Sequence, residues 1–540
     1  MEVTATRESA RQSPGVNEVR DGVIPWSQLL VLTVLGLAIG GYFFAGLYGS
    51  DDLKYVAGAY GLGGQVPDYA TIGGGRYTIT APLRLFLIAS SGDLQIAVLG
   101  FTLMYIAGAC VVCCLVSRVA SNSTALLSGI LVVSNPLLFI YSGAVLPDNV
   151  LAILYACAAL ILARWGVGSD TRLVRFGLLV LVGGAAGLSY ITKEASVVFM
   201  LPLCVYAAYF SIRRGGGAEF VMTVSFGLLG FGLVLLGDMA LSSYTFGHPF
   251  ARLAYASELN LVDGVRKFMD RQGTYPWERL STVWDQFWTT WPAVVLYLVG
   301  AGYLVAVRGS LVNFFRSVDG VIAVSAAWTF AYLTWGSVSL REYIGVPLQE
   351  RYFAPCAVLL CVLFARALVE LYERHFSGRT RLACITVVLL VGWQVLWPLD
   401  RAGDIYRAAE HRELRTAVAS QRLLSPEVPI FVDHYFNMRG ARYGHLPIKG
   451  SLASGRPEES RFIYIFNERE RPRSAAEKAV LTCMESGAQD VSTEGRPPRY
   501  RTRLDAIKAG LGFHDRVDPT ASRVRVIFVE NMGRCVSAPK

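Results

Sequence analysis

Asp51 and Asp52 stand side by side directly after the first long apolar run, Trp26 to Tyr48. That run is long enough to cross a bilayer, so two adjacent carboxylates sit where the chain leaves the membrane. They have two readings. In one they serve a helix start: Ser50 suits an N-cap, and acids favour the positive end of a helix. Leu53, Val56, Ala57 and Tyr60 recur at helical spacing on one predicted apolar face. In the other, a carboxylate held at the membrane surface takes the proton of an acceptor hydroxyl as a general base. Further residues able to do chemistry are Asp148 in Leu146-Pro-Asp-Asn-Val150, Lys193 and Glu194, Asp238, and Glu350, Arg351 and Tyr352. Arginine binds phosphate bidentately and lysine binds it as a point charge. Each has a structural reading as well. Pro147-Asp148 is a common helix start, Lys193 and Glu194 can pair in a tight loop, Arg351 can snorkel to the interface, and Asp238 can hydrogen-bond a neighbouring helix.

The elements that must position these residues are membrane spans. Of 540 residues, 53% are hydrophobic and only 17% are charged, below the quarter or so of a soluble chain. Eleven apolar spans are predicted, roughly 26–48, 94–117, 122–142, 147–164, 174–191, 195–212, 219–244, 290–307, 318–338, 351–372 and 382–399. The net charge of +9 comes largely from arginines in short alternate connections: Arg118; Arg164, Arg172 and Arg175; Arg213 and Arg214; Arg308 and Arg316; Arg374, Arg379 and Arg381. Such loops face the cytoplasm, which puts the N-terminus inside and the C-terminus outside. There is no basic stripe with interleaved aromatics and no nucleic-acid motif.

The fold class expected is a polytopic α-helical membrane protein with a C-terminal extracytoplasmic α/β domain. Residues 1–25 read as a disordered cytoplasmic tail without a cleavable signal. Residues 26–400 form the transmembrane module, with an outer loop at 49–93 whose Ala81–Ala89 piece is too short to span and is expected in the interface. Residues 401–540 form the outer domain, with strands at 428–432, 462–466 and 524–529 and helices at 405–424 and 475–486. On this topology the chemistry-bearing residues lie at one level, near the outer surface. Gly73-Gly-Gly75 reads as a turn, because no nucleotide-loop pattern surrounds it. The histidines and cysteines form no metal motif. Eight of the ten cysteines lie in apolar runs, leaving Cys483 and Cys535 in the outer domain, where an oxidising compartment favours a disulfide.

Several of these features together resemble the GT-C glycosyltransferases that use polyprenyl-phosphate sugars. They are the acidic pair after the first span, the aspartate opening the fourth, Gly187-Leu-Ser-Tyr-Ile-Thr-Lys-Glu194, Gly247-His-Pro-Phe250, and Glu350-Arg-Tyr352 with Pro355. The resemblance is to the protein O-mannosyltransferase and lipid A aminoarabinose transferase type, and it covers about residues 26 to 400. It implies that Asp51 is the catalytic acid and Asp148 a second functional aspartate. Lys193 and Arg351 would hold donor phosphate, with Asp52, Glu194 and Tyr352 beside them. Such enzymes often carry Lys-Pro-Pro in the first outer loop; here Thr80-Ala-Pro82 stands instead, with Arg76 or Arg84 as substitutes for the lysine. The implied reaction is an inverting sugar transfer to a glycan, lipid or protein acceptor on the outer face of the cytoplasmic membrane. The donor is a lipid-linked sugar, and no metal or other cofactor is required. The alternative is a transporter or flippase, which would place ionisable sites near the midplane between repeats; the sequence has neither feature. A third reading is a non-enzymatic envelope scaffold.

Overall fold

The computed structural model describes residues 24–44, 51–62, 75–168, 171–251, 275–337, 345–376, 380–397, 426–433, 450–451, 461–467 and 524–529, with single positions at 254, 343, 414, 418, 421 and 478. In the helical part, Trp26–Tyr42 (α1) is followed by Asp51–Gly61 (α2), Tyr77–Ala89 (α3) and Leu94–Ser117 (α4). Asn122–Val133 (α5) is capped by Ser121, whose hydroxyl accepts from the Thr124 N–H at 3.2 Å. The expected third span breaks at Asn135-Pro136. Proline disfavours helix at the residue before it, and the Asn135 side chain caps a new single turn, Pro136–Phe139 (α6).

Next come Pro147–Val167 (α7) and Arg172–Thr192 (α8), which pack as neighbours through a short connection. The turn Ser196–Phe199 (α9) leads into Leu201–Phe246 (α10). Most of the expected sixth span and all of the seventh lie in α10, the first residues of the sixth forming α9; α10 is kinked at Gly215 and Gly216, and Gly216 has φ 64°, a conformation that glycine adopts without a Cβ penalty. Where α8 and α10 cross, a Cβ on Gly183 would lie 2.0 Å from the Gly227 carbonyl oxygen, and one on Gly230 equally close to that of Val180. Small residues let the two backbones touch there.

Pro276–Thr290 (α11) and Val294–Val307 (α12) are bent by 107° at a short break containing Pro292. The chain continues through Leu311–Phe315 (α13), Val318–Trp335 (α14), a 3₁₀ turn at Glu350–Phe353, Ala354–His375 (α15) and Thr380–Leu396 (α16).

Every one of the eleven expected spans coincides with apolar helix. By length and apolarity, six described helices can cross a membrane, or seven if the bent pair α11–α12 is one span. The difference from eleven has a physical cause: α10 joins two expected spans, and α1, α5 and α16 are shorter than their apolar runs. The protein is a multi-pass membrane protein.

Two apolar cores hold the helices. The larger one includes Leu32, Leu131, Tyr155, Trp165, Phe199, Val321 and Leu359. A smaller one joins Tyr55, Val56 and Ala59 of α2 to Ile79 and Leu83 of α3, Phe101 of α4, and Val145 and Leu146 just before α7. This satellite core sets the α2–α3–α7 geometry. It also corrects the predicted face of α2: Tyr60 is 46% exposed, and Tyr55 and Ala59 are turned inward in its place.

Near the C-terminus four strands form a mixed sheet. Ile430–Val432 (β1) pairs in parallel with Gly450–Ser451 (β2) and with Phe462–Asn467 (β3), and β3 pairs antiparallel with Val524–Val529 (β4). Leu414 and Val418, each in helical conformation, pack on this sheet with Ile430, Ile463 and Val526. The expected strands are therefore present. Cys483, Cys535 and most of the two expected helices lie outside the described residues.

Candidate active site

Asp148 occupies the first turn of α7, behind Pro147 at the first helical position, and is 2% exposed. Burying one carboxylate is costly unless it is paired. Here Lys193 Nζ lies 2.9 Å from its Oδ1 and Arg351 Nε lies 3.5 Å from its Oδ2. Each cation arrives for a local reason. α7 and α8 are antiparallel neighbours, so the end of α8 returns to the level where α7 begins. Lys193 is the C-cap of α8: its N–H donates to the Ser189 carbonyl at 3.0 Å and its backbone is extended. Arg351 comes from the 3₁₀ turn ahead of α15 and donates to Gln349 Oε1 at 3.0 Å. Tyr352, next in that turn, lies under both cations, with Lys193 Nζ 3.3 Å and the Arg351 guanidinium 5.6 Å from its ring centre, a cation–π arrangement.

A second pair flanks the first. Arg76, just before α3, lies 3.3 Å from Glu194 Oε2 and donates to the Tyr55 hydroxyl. Burial opposes its charge, but Tyr55, Glu194 and Asp148 outweigh burial and hold its pKa above the ordinary arginine value. The Thr192 hydroxyl donates to Thr78 Oγ1 at 2.8 Å, joining the end of α8 to the start of α3. On the far side, Thr290 at the end of α11 donates to Glu350 Oε2 at 2.5 Å.

Arg76, Lys193 and Arg351 thus meet Asp148 and Glu194 at the termini of α3, α7, α8 and the 3₁₀ turn. Cations held by carboxylates, one of them buried, are pre-oriented, an arrangement suited to an anion such as phosphate.

The sequence expectations are sorted by this geometry. Asp148, Lys193, Glu194, Arg351, Tyr352 and Arg76 come together. Lys193 and Glu194 do not pair with each other: successive residues on extended backbone point to opposite sides, and each finds its own partner. Arg351 turns inward, its side chain 13% exposed, rather than snorkelling. Arg84 is eight residues beyond Arg76 on α3, about 12 Å further along the helix, so only Arg76 joins the cluster. Asp52 is fully buried in α2. Asp51 opens α2, and its side chain lies outside the described residues. Asp238 is buried on α10, apart from these contacts. Tyr55 and Thr290 were not anticipated. A signal for Tyr55 did exist, since it stands four residues after Asp51. Among the described residues, no group of three or more His, Cys, Asp and Glu side chains is placed to hold a metal ion.

No protein-family model and no curated protein matches the sequence. Solved structures do match the fold. The crystal structure of ArnT from Cupriavidus metallidurans bound to undecaprenyl phosphate superposes with a TM-score of 0.53 and 12% identity, covering 95% of this chain and 99% of that one. The apo state of the same protein gives a TM-score of 0.47 at 12% identity over the same shares. The apo oligosaccharyltransferase of Archaeoglobus fulgidus gives 0.48 at 11% identity, over 79% of this chain and 64% of that one. At 12% identity the likeness to ArnT speaks to the fold alone, along nearly the whole of both chains: this chain folds as ArnT does, into the polytopic helical fold that the sequence resemblance implied.

Proposed function

We propose that this protein is a glycosyltransferase that moves a sugar from a polyprenyl phosphate to an acceptor on the outer face of the cytoplasmic membrane. The observation that carries the reading is the meeting of Lys193 and Arg351 on the buried carboxylate of Asp148, with Arg76 and Glu194 alongside. These charges stand at helix ends rather than mid-span, which favours a transferase over a transporter. The undecaprenyl phosphate bound to ArnT supports the donor class.

In the proposed reaction an acceptor hydroxyl attacks the sugar C1 as the bond from C1 to the phosphate oxygen breaks. The electron pair leaves with the polyprenyl phosphate, where Lys193, Arg351 and Arg76 offset the growing charge. The hydroxyl proton passes to Asp51, and direct displacement inverts the anomeric centre. Asp51 stands one turn before Tyr55 on α2, and residues four apart share a helix face. Tyr55 accepts from Arg76, and that spacing supports the assignment of the base to position 51. Asp148 orients the two cations and Tyr352 supports them. Residues 26–400 are the catalytic module, residues 1–25 a cytoplasmic tail, and residues 401–540 an extracytoplasmic domain.

Mass spectrometry of lipid-linked sugars and envelope glycans, in cells with and without the protein, tests this. Loss of the protein should accumulate one polyprenyl-phosphate sugar and remove one sugar from an acceptor. Unchanged pools of both would overturn the reading.

A further inference from the structure

Helix α11 divides into three faces. At 100° per residue, Trp277, Trp284 and Trp288 fall within about 40° of one another, and they are 75%, 46% and 53% exposed. Glu278 and Asp285 project about a quarter turn away and are exposed. Arg279, Val283, Phe287 and Thr290 form the buried face.

Two tryptophans on other helices locate α11. Trp335, the last residue of α14, donates its indole N–H to the Pro276 carbonyl at 3.0 Å. Trp397, directly after α16, donates to the Thr289 carbonyl at 3.1 Å. Both ends of α11 are therefore tied to the ends of apolar helices. The helix also leaves apolar α12 at a bend of 107°. An element steeply inclined to apolar α12 and crossing the ends of α14 and α16 has the geometry of a helix laid along a membrane surface.

We propose that α11 lies in the boundary between headgroups and acyl chains, with Trp277, Trp284 and Trp288 in lipid and Glu278 and Asp285 in water. The partner is the bilayer itself. Indole rings favour this level because their bodies are apolar and their N–H groups polar, and a helix with one apolar and one charged face is held there by both. From this seat the buried face holds the segment that carries Arg351. Arg279 donates to the carbonyls of Thr334 and Val346, Gln286 donates to that of Leu348 at 3.2 Å, and Thr290 bonds Glu350. The lipid contact itself stands whether or not the transferase reading does.

Tryptophan quenching in the full-length protein tests it. The protein is reconstituted in phosphatidylcholine vesicles brominated either high on the acyl chains or near their ends. The emission lost in a Trp277→Phe/Trp284→Phe/Trp288→Phe variant isolates these three rings. Shallow bromine should quench that emission about twofold more than deep bromine, and aqueous iodide should quench it less than either. Emission insensitive to bromolipid and open to iodide would overturn the proposal. Stronger quenching by deep bromine would do the same, since it would put the rings inside a span. If the triple variant does not fold, the three single variants give the same difference one ring at a time.

Discussion

Lys193 Nζ lies 2.9 Å from Asp148 Oδ1 across 45 residues of sequence, and the same carboxylate receives Arg351 on its other oxygen. One buried aspartate thereby aims two cations contributed by different elements. In the proposed reaction Asp148 is then a positioning residue, and Lys193 and Arg351 are the groups that would meet the donor phosphate.

Lys193→Ala and Arg351→Ala should therefore weaken binding of polyprenyl phosphate. Loss of one charge-assisted hydrogen bond is worth roughly 1.5–3 kcal/mol, so each variant should lose about ten- to a hundredfold in affinity. Arg351→Lys should recover only part of the loss, because the planar fork is gone. Wild-type affinity in both alanine variants would remove these residues from the donor site.

The general-base proposal separates two neighbouring acids. Asparagine caps a helix nearly as well as aspartate but cannot take a proton. Asp51→Asn should fold, bind donor and transfer sugar about a hundred- to ten-thousandfold more slowly. Asp52→Asn should keep clearly more activity, and Asp148→Asn should fall between them. Single-turnover transfer assays read this directly. Near-normal transfer by Asp51→Asn would leave the helix-cap role as the better account, and equal losses at both positions would mean that the pair acts as a unit.

The charged cluster at the start of α14 should behave as structure only. Asp319 is fully buried and pairs with Arg308 at 2.7 Å and with Arg366, tying α12, α14 and α15 together. Removing one member of a buried pair leaves an uncompensated charge and costs about 3–5 kcal/mol. Asp319→Ala should lower the apparent Tm substantially, and replacing Arg366 by methionine as well should restore part of it. A Tm unchanged by Asp319→Ala would mean that the cluster contributes nothing to stability.

Orientation follows from the arginine-bearing connections. Reporter fusions at Gly168 and Ser454 should report opposite sides of the membrane, the first cytoplasmic. The same side for both would sink the topology and, with it, the outer-face site.

The two cysteines of the C-terminal domain, Cys483 and Cys535, should be joined in native protein. Thiol-specific labelling without reductant should leave both unmodified, and labelling of both contradicts the bond.

What the sequence determined by itself was everything that depends on local pattern. Long apolar runs identify helices that water will not accept, so all eleven expected spans correspond to apolar helix. Short apolar runs gave strands at 428–432, 462–466 and 524–529, and the structure has them at 430–432, 462–467 and 524–529. Pro147 and Asp148 open α7 as proline and acid do. The candidate residues Asp148, Lys193, Glu194, Arg351 and Tyr352 were legible because they gather at the same ends of the expected spans and fall in the stretches that carry the family resemblance.

Tertiary structure alone decided which of them touch. Lys193 chooses Asp148 over its neighbour Glu194 because an extended backbone turns adjacent side chains apart. Arg76 joins the site and Arg84 does not, because α3 begins at Tyr77 and the packing of α2, α3 and α7 brings only its first turn to Glu194. Tyr55 faces inward and Tyr60 outward because the satellite core sets the rotation of α2. Such choices depend on distances between segments far apart in the chain, and no local periodicity encodes them.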